Sequence, residues 1–209
     1  MRLRLVGHPR SRAMRVMWML EELGAPYDYD AAPPQSAAAR AANPAGKVPV
    51  LFVGDQPLTD SVALVQFLAD SHSRFTHPAG TLARARQDGF TQFCVDEVEG
   101  ALWTAGKHSF VLPEALRVPQ VKETCRAEFA RAMQTLAARL GDNPFVMGDA
   151  FTVPDLLLGH CAAWAEAAKF ALPGGPVGAY LARLRARPAL AAAMARGARA
   201  LAARDASPA

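Results

Sequence analysis

Apolar and polar positions change their period several times along the chain, and each change predicts a different element. Leu3 to Gly7 is a short apolar run that breaks at Gly-x-Pro, which suits a buried strand leading into a loop. From Ser11 the apolar residues recur three and four apart, at Ala13, Val16, Met17, Leu20 and Leu23, while Arg12, Arg15 and Glu22 fall mainly elsewhere. That spacing predicts an amphipathic helix, and Gly24 followed by Pro26 supplies its stop. "YDYDA" reads as a second strand, "SAAARAAN" as a short irregular helix ended by Pro44, and "VPVLFV" as a third strand. Gly54-Asp55 makes a turn and "PLT" a short fourth strand. Ser61 to Ala69 is again helical, with Val62, Leu64, Val65 and Leu68 apolar. The predicted order is β-α-β-α-β-β-α.

"SHSRFTHPAG", residues 71–80, has no period and reads as a linker. Every segment beyond it has a helical pattern: 81–107, 119–140, 154–170, 177–187 and 188–204, with breaks at "GDNPFVMGD" and "LPGGPVG". No internal repeat is visible. The expected organisation is an α/β domain over residues 1–75 and an all-α domain over residues 81–209. The first has the order and size of a thioredoxin-like layout, in which catalytic groups follow the first strand.

Composition narrows the function classes without choosing one. The 209 residues suffice for one large or two small domains, and 51% hydrophobic with 20% charged residues is a globular balance. No apolar run approaches a membrane span, and the N-terminus lacks the apolar core of a signal peptide, so a cytoplasmic location is expected. The net charge of +4 owes much to arginines in the last thirty residues, "YLARLRARPALAAAMARGARALAARDASPA". That segment has almost no aromatic residue to stack on a base, so it reads as a solvated helix face rather than a nucleic-acid or membrane surface. Cys94, Cys125 and Cys161 have no C-x-x-C or metal-ligand spacing; they are expected to be reduced structural thiols, and no metal is expected.

Candidate chemistry lies in "GKVPVLFVGDQPLTDSVALVQFLAD" and in the loop after the first strand. A proline inside a strand is tolerated where the strand is locally unpaired; a cis Val48-Pro49 bond would turn the Val48 N–H and C=O outward, toward a peptide-like ligand. An edge-strand proline without a ligand fits the same residues. Asp60 and Ser61 open a helix, whose unpaired N–H groups and positive dipole end suit a carboxylate. With the Ser61 hydroxyl as a further donor and Asp60 accepting from an ammonium, the pair would suit an α-amino acid head group; plain N-capping is the alternative. Residues 1–26 contain no Cys, Tyr or Thr, which leaves Ser11 as the one side-chain hydroxyl or thiol in that loop and helix.

Together "GHPRSRAMRVMWMLEELGAPYDY", "NPAGKVPVL" and "LTDSVALVQFL" resemble the cytosolic glutathione transferase family, of a bacterial serine type, over nearly the whole chain. "FVMGDAFTVPDLLLGHCAAWA" is similar to the family's helix-capping motif, with Thr152 as cap and Asp155 answering it; Pro154 stands where the family usually has alanine. The resemblance implies a glutathione-binding first domain. Val48 would pair its backbone with the cysteinyl unit across cis-Pro49, Asp60 and Ser61 would hold the γ-glutamyl end, and Lys47 would neutralise the glycyl carboxylate. Ser11 would hold the thiolate, with Arg10 as a weaker electrostatic or substrate-facing candidate.

The absence of a cysteine near residue 11 argues against the thiol-exchange chemistry of cysteine-type relatives, and Tyr27 comes too late for a tyrosine-type enzyme. The serine-cysteine pair of isomerase-type relatives is also absent, since Arg12 follows Ser11. In the family the electrophile lies between the domains, and Trp103, His108 and Phe110 are candidates for lining it; Trp164 and His160 read as core. The expectation is a detoxifying, homodimeric transferase that conjugates glutathione to a small hydrophobic electrophile, without nucleic-acid or membrane partners. A glutathione-binding protein with little turnover and a glutathione-dependent peroxidase are the alternatives.

Overall fold

The computed structural model describes residues 2–206. It contains two compact units: residues up to Arg74 together with the segment from Ala186 onward, and Phe75–Arg185.

The first unit is built on a four-stranded sheet in the order β2-β1-β3-β4, from β1 (Leu3–Val6), β2 (Asp28–Asp30), β3 (Val50–Val53) and β4 (Gln56–Thr59). β1 runs parallel to β2 and antiparallel to β3, and β3 runs antiparallel to β4. The helices are α1 (Ala13–Leu23), α2 (Ala37–Ala42) and α3 (Ser61–Ser71), in the expected thioredoxin-like order. Gly24, at φ 64°, ends α1 in the left-handed conformation that glycine adopts without a Cβ penalty. α3 runs two residues past Ala69 into the segment read as linker.

The register decides where the loops meet. Val6 at the end of β1 pairs with Asp30 at the end of β2 and with Val50 at the start of β3, and Val50 pairs with Thr59 at the end of β4. The β1–α1 loop, the residues entering β3 and the N-terminus of α3 therefore share one end of the sheet. Leu3, Leu5, Val6, Val50 and Leu51 are buried between the helical layers.

α1 is buried more completely than one apolar stripe requires. Trp18 and Met19 join the predicted face at 0% exposure, because the last helix, α9 (Pro188–Asp205), packs along α1. The expected polar side of α1 is correspondingly altered: Arg15 is fully buried and the Glu22 side chain is only 7% exposed. The Arg187 guanidinium grips both Glu22 oxygens, and Trp18 Nε1–H donates to Oε1 at 2.9 Å. α9 thus buries one face, at Leu190, Ala193 and Gly197, while Arg199 and most of its other residues stay on the solvated side that its composition suggests. Besides Arg187 at its N-cap, Arg196 pairs with Glu21 and Arg204 with Asp30.

The second unit is helical: α4 (Leu82–Phe93), α5 (Gly100–Gly106), α6 (Val121–Leu140), α7 (Val153–Ala167) and α8 (Gly175–Arg185). π-helical turns at Cys94–Glu99 and Lys107–Val111 connect and extend α5, so the single predicted helix over 81–107 is wound with two irregular turns. Thr152 and Asp155 form the reciprocal capping pair at α7, with Pro154 in its first turn. The buried Asp155 carboxylate also accepts from Val146 N–H at 3.0 Å and Tyr180 O–H at 2.8 Å, fastening the preceding loop and α8. All three cysteines are buried thiols, Cys94 and Cys161 with their Sγ atoms 3.9 Å apart.

Candidate functional site

Three backbone features gather at the loop end of the sheet. Gly7 is closely enclosed: a Cβ there would lie 2.7 Å from Ala13 Cβ, 3.3 Å from Val48 Cβ and 3.4 Å from Pro49 Cα. Only glycine lets the β1–α1 loop and the entry to β3 approach so closely. Val48-Pro49 is cis, and β3 starts after it at Val50 rather than at Val48. Neither the N–H nor the C=O of Val48 takes a hydrogen-bond partner among the described residues. An extended ligand backbone fits that pair of unpaired groups.

The segment before Val48 is held by its own polar side chains. Asn43 Nδ2 donates to the Lys47 carbonyl at 3.1 Å, Gln35 Nε2 donates to the Ala45 carbonyl at 3.0 Å, and Gly46 leaves no room for a Cβ beside Gln35. The Lys47 side chain stands exposed.

At the N-terminus of α3, Asp60 is exposed at φ 71° and ψ 112°, outside the ordinary regions for a non-glycine residue. Such a conformation costs about 1–3 kcal/mol and persists where surroundings impose it. Asp60 Oδ1 accepts from Val62 N–H at 3.2 Å, so the capping role is present. The Ser61 N–H has no acceptor among the described residues. Ser61 Oγ accepts from the buried Arg15 guanidinium at 3.3 Å, which leaves the hydroxyl proton to donate outward. Sequence reasoning missed Arg15, because a charge between apolar positions on a helix reads as its solvent side. Its cation reinforces the positive end of α3, and the combined N–H, O–H and charge suit a carboxylate.

Ser11 is part of the turn before α1. Its Oγ–H donates to the His8 carbonyl at 2.6 Å, and the oxygen accepts from Ala13 N–H at 3.1 Å. The hydroxyl therefore performs the local capping role. Donation to a ligand sulfur requires rotation away from His8. Arg10 is exposed, with its backbone N–H on His8 Nδ1 at 3.1 Å. His8 is held below its usual pKa of 6.5 by burial first, then by the Arg10 and Arg204 charges.

The remaining candidates belong to the second unit. Trp103 meets Trp164 edge-on at 6.2 Å between ring centroids, and His160 meets Trp164 at 6.4 Å. Trp164 and His160, expected in the core, are only half-buried: the deeply buried side of α7 is carried by Leu157, Cys161 and Ala165. Phe110 is 68% exposed at the π-helical end of the same helical run, and a Cβ on Gly106 would touch both Phe110 and Trp164. His108 Nδ1 accepts from Val118 N–H at 3.0 Å, which gives it a local structural partner. Among the described residues no three His, Cys, Asp or Glu side chains gather into a metal site, and no helix is long and apolar enough to cross a membrane.

Comparison with known proteins finds similarity in both sequence and fold. Residues 5–76 match the family of glutathione S-transferase N-terminal domains, and residues 119–196 match the C-terminal domain family. Glutathione S-transferase GstA of Escherichia coli O157:H7 is 29% identical over 152 residues, covering 71% of this chain and 72% of that protein. Human glutathione S-transferase theta-2B is 32% identical over 123 residues, covering 55% of this chain and 49% of its own length. A glutathione transferase crystal structure from Methylococcus capsulatus superposes with a TM-score of 0.80 at 28% identity, covering 94% of this chain and 98% of that one.

Proposed function

The chain belongs to the glutathione S-transferase family, and on that premise we propose that its first unit binds glutathione and activates the thiol for conjugation to a hydrophobic electrophile. The observation that carries the reading is the α3 N-terminus, where Ser61 offers N–H and O–H, Arg15 backs it with charge, and Asp60 stands beside it as an acceptor. These groups match the amine and carboxylate of a γ-glutamyl unit. Val48 would take the cysteinyl backbone next to Pro49, and the exposed Lys47 would meet the glycyl carboxylate.

Held there, the tripeptide sends its sulfur toward the turn that carries Ser11. An unperturbed thiol has a pKa near 8.5, so only a few per cent is thiolate at neutral pH. A hydroxyl turned from His8 toward the sulfur donates to the anion and lowers that pKa. Ser11 acts as a hydrogen-bond donor and stays protonated; the sulfur loses its proton to solvent and attacks the electrophile. Phe110 and Trp164, both beside Gly106, with Trp103 edge-on to Trp164, offer an apolar aromatic surface for such a substrate, and Arg10 and His108 remain polar candidates. The reading includes a detoxifying role, a cytoplasmic location and a homodimer; a monomer by light scattering at micromolar concentration would remove the last.

A second reading, a glutathione binder with little turnover, draws on one observation: the Ser11 proton rests on the His8 carbonyl. Titration calorimetry with glutathione and turnover of an activated aryl halide separate the two. The transferase reading expects binding and turnover, with Ser11→Ala lowering kcat/KM by about tenfold or more at neutral pH, the equivalent of at least one thiol pKa unit. Binding without turnover of any electrophile in a panel would favour the second.

A further inference from the structure

α9 reaches the Ser11 turn as well as α1. Gly197, buried on α9, lies directly against Pro9: a Cβ at Gly197 would fall 2.7 Å from Pro9 Cβ, 3.4 Å from its Cγ and 3.6 Å from Met17 Cε. Pro9 is buried and follows His8, whose carbonyl accepts both the Ser11 N–H at 3.0 Å and the Ser11 hydroxyl at 2.6 Å. On its other side the turn is confined at Gly7, where an added Cβ would run into Ala13, Val48 and Pro49. Farther along α9, Arg204 pairs with Asp30 at 3.7 Å, and the Asp30 carbonyl accepts from Gly7 N–H at 2.9 Å. The turn is therefore clasped at both ends, by β3's entry and by a helix about 190 residues away in sequence.

From this we infer that α9 is a positioning element for the Ser11 hydroxyl, with the Gly197–Pro9 contact setting where the turn stops. The inference rests on the reading of Ser11 as thiolate donor. Gly197 is a poor helix residue, less favourable than alanine in a helix interior. Its presence at the contact is explained by the space Pro9 requires. Pro9 is too rigid to yield by a side-chain rotation, so an added Cβ displaces the backbone on which the hydroxyl is mounted. Asp60 and Ser61, which hold the γ-glutamyl end in this reading, belong to another element and keep their geometry.

The test is a size exchange across the contact, in the full chain. Gly197→Ala adds a methyl and Pro9→Gly removes the ring it would meet. Each single variant is expected to raise the apparent thiol pKa of bound glutathione, read from the pH profile of kcat/KM for the electrophile at saturating glutathione, by about one unit, or tenfold in thiolate at neutral pH. Glutathione affinity by calorimetry should stay within about twofold of the parent protein. The double variant should return toward the parent value, a non-additivity expected only of residues in contact. A generally destabilised protein would lose affinity and activity together and would not be rescued by a second substitution. If Gly197→Ala does not fold, Pro9→Gly alone decides, by the same shift. Unchanged thiol pKa in the folded variants overturns the role of α9 while the parent still binds glutathione. A parent protein that gives no binding heat with glutathione overturns the functional reading and this inference with it.

Discussion

Ser61 shows how one residue can serve the fold and remain available to a ligand. Its oxygen takes the Arg15 bond, its N–H begins α3 without an acceptor among the described residues, and its proton is still to give. Ser61→Ala is expected to weaken glutathione binding about tenfold or more, since one hydrogen bond to a charged group is worth about 1.5–3 kcal/mol, measured by calorimetry. Its thermal stability should fall as well, because the buried Arg15 guanidinium loses the acceptor that Ser61 Oγ provides. His8 supports a pH prediction of definite sign. Burial and two arginine charges depress its folded pKa below 6.5, so the unfolded chain binds the extra proton first as the pH falls. Stability contributed by neutral His8 is complete above pH 6.5 and is lost as the pH drops through the folded value. Thermal midpoints between pH 7.5 and 5 should fall less steeply for His8→Gln than for the parent. The Asp-Ser pair and Val48-Pro49 were legible because each is a local motif. Arg15 was not, since its partner lies 46 residues away.

Helix ends carry much of the specification at the level of elements. The Thr152–Asp155 pair was legible through the resemblance of its stretch to the family's capping motif, but not the use made of the same carboxylate by Val146 and Tyr180. Burial pushes the Asp155 pKa up, and its four donors from Val146, Thr152 and Tyr180 pull it down. Asp155→Ala leaves those donors buried without an acceptor and should cost about 3–5 kcal/mol, read as an earlier denaturant midpoint for the second unit by fluorescence. Asp155→Asn, which keeps two acceptor lone pairs, should cost less. The π-helical turns at Cys94–Glu99 and Lys107–Val111 were not read from the sequence, where a continuous helical pattern over 81–107 was expected.

For the whole molecule, the main departure from the sequence reading is the path of the chain's last helix. A boundary placed in the 71–80 linker assigns everything after it to a helical domain, whereas contacts group the segment from Ala186 with the first unit. The reason is that α1 presents apolar surface on two sides: one side faces the sheet layer, and α9 covers the other. Removing residues 186–209 should therefore leave Trp18 and Met19 without cover and Glu22 without Arg187. The expected result is dye-binding apolar surface and loss of the cooperative unfolding of the first unit, whereas a fragment of residues 1–75 should behave no better. A well-folded, monodisperse truncated chain would contradict this packing account.

By itself the sequence determined the order of strands and helices, the capping pair at Thr152, and the proline-containing entry to β3 and the Asp60-Ser61 start of α3, because each depends on neighbours within a few residues. Only the tertiary structure decided that Arg15 backs Ser61, that Glu22 is gripped by Arg187 across 165 residues, and that α9 stands against the Ser11 turn. Those arrangements arise from surfaces brought together after the elements form, and hydrophobic burial holds them without requiring any fixed separation along the chain.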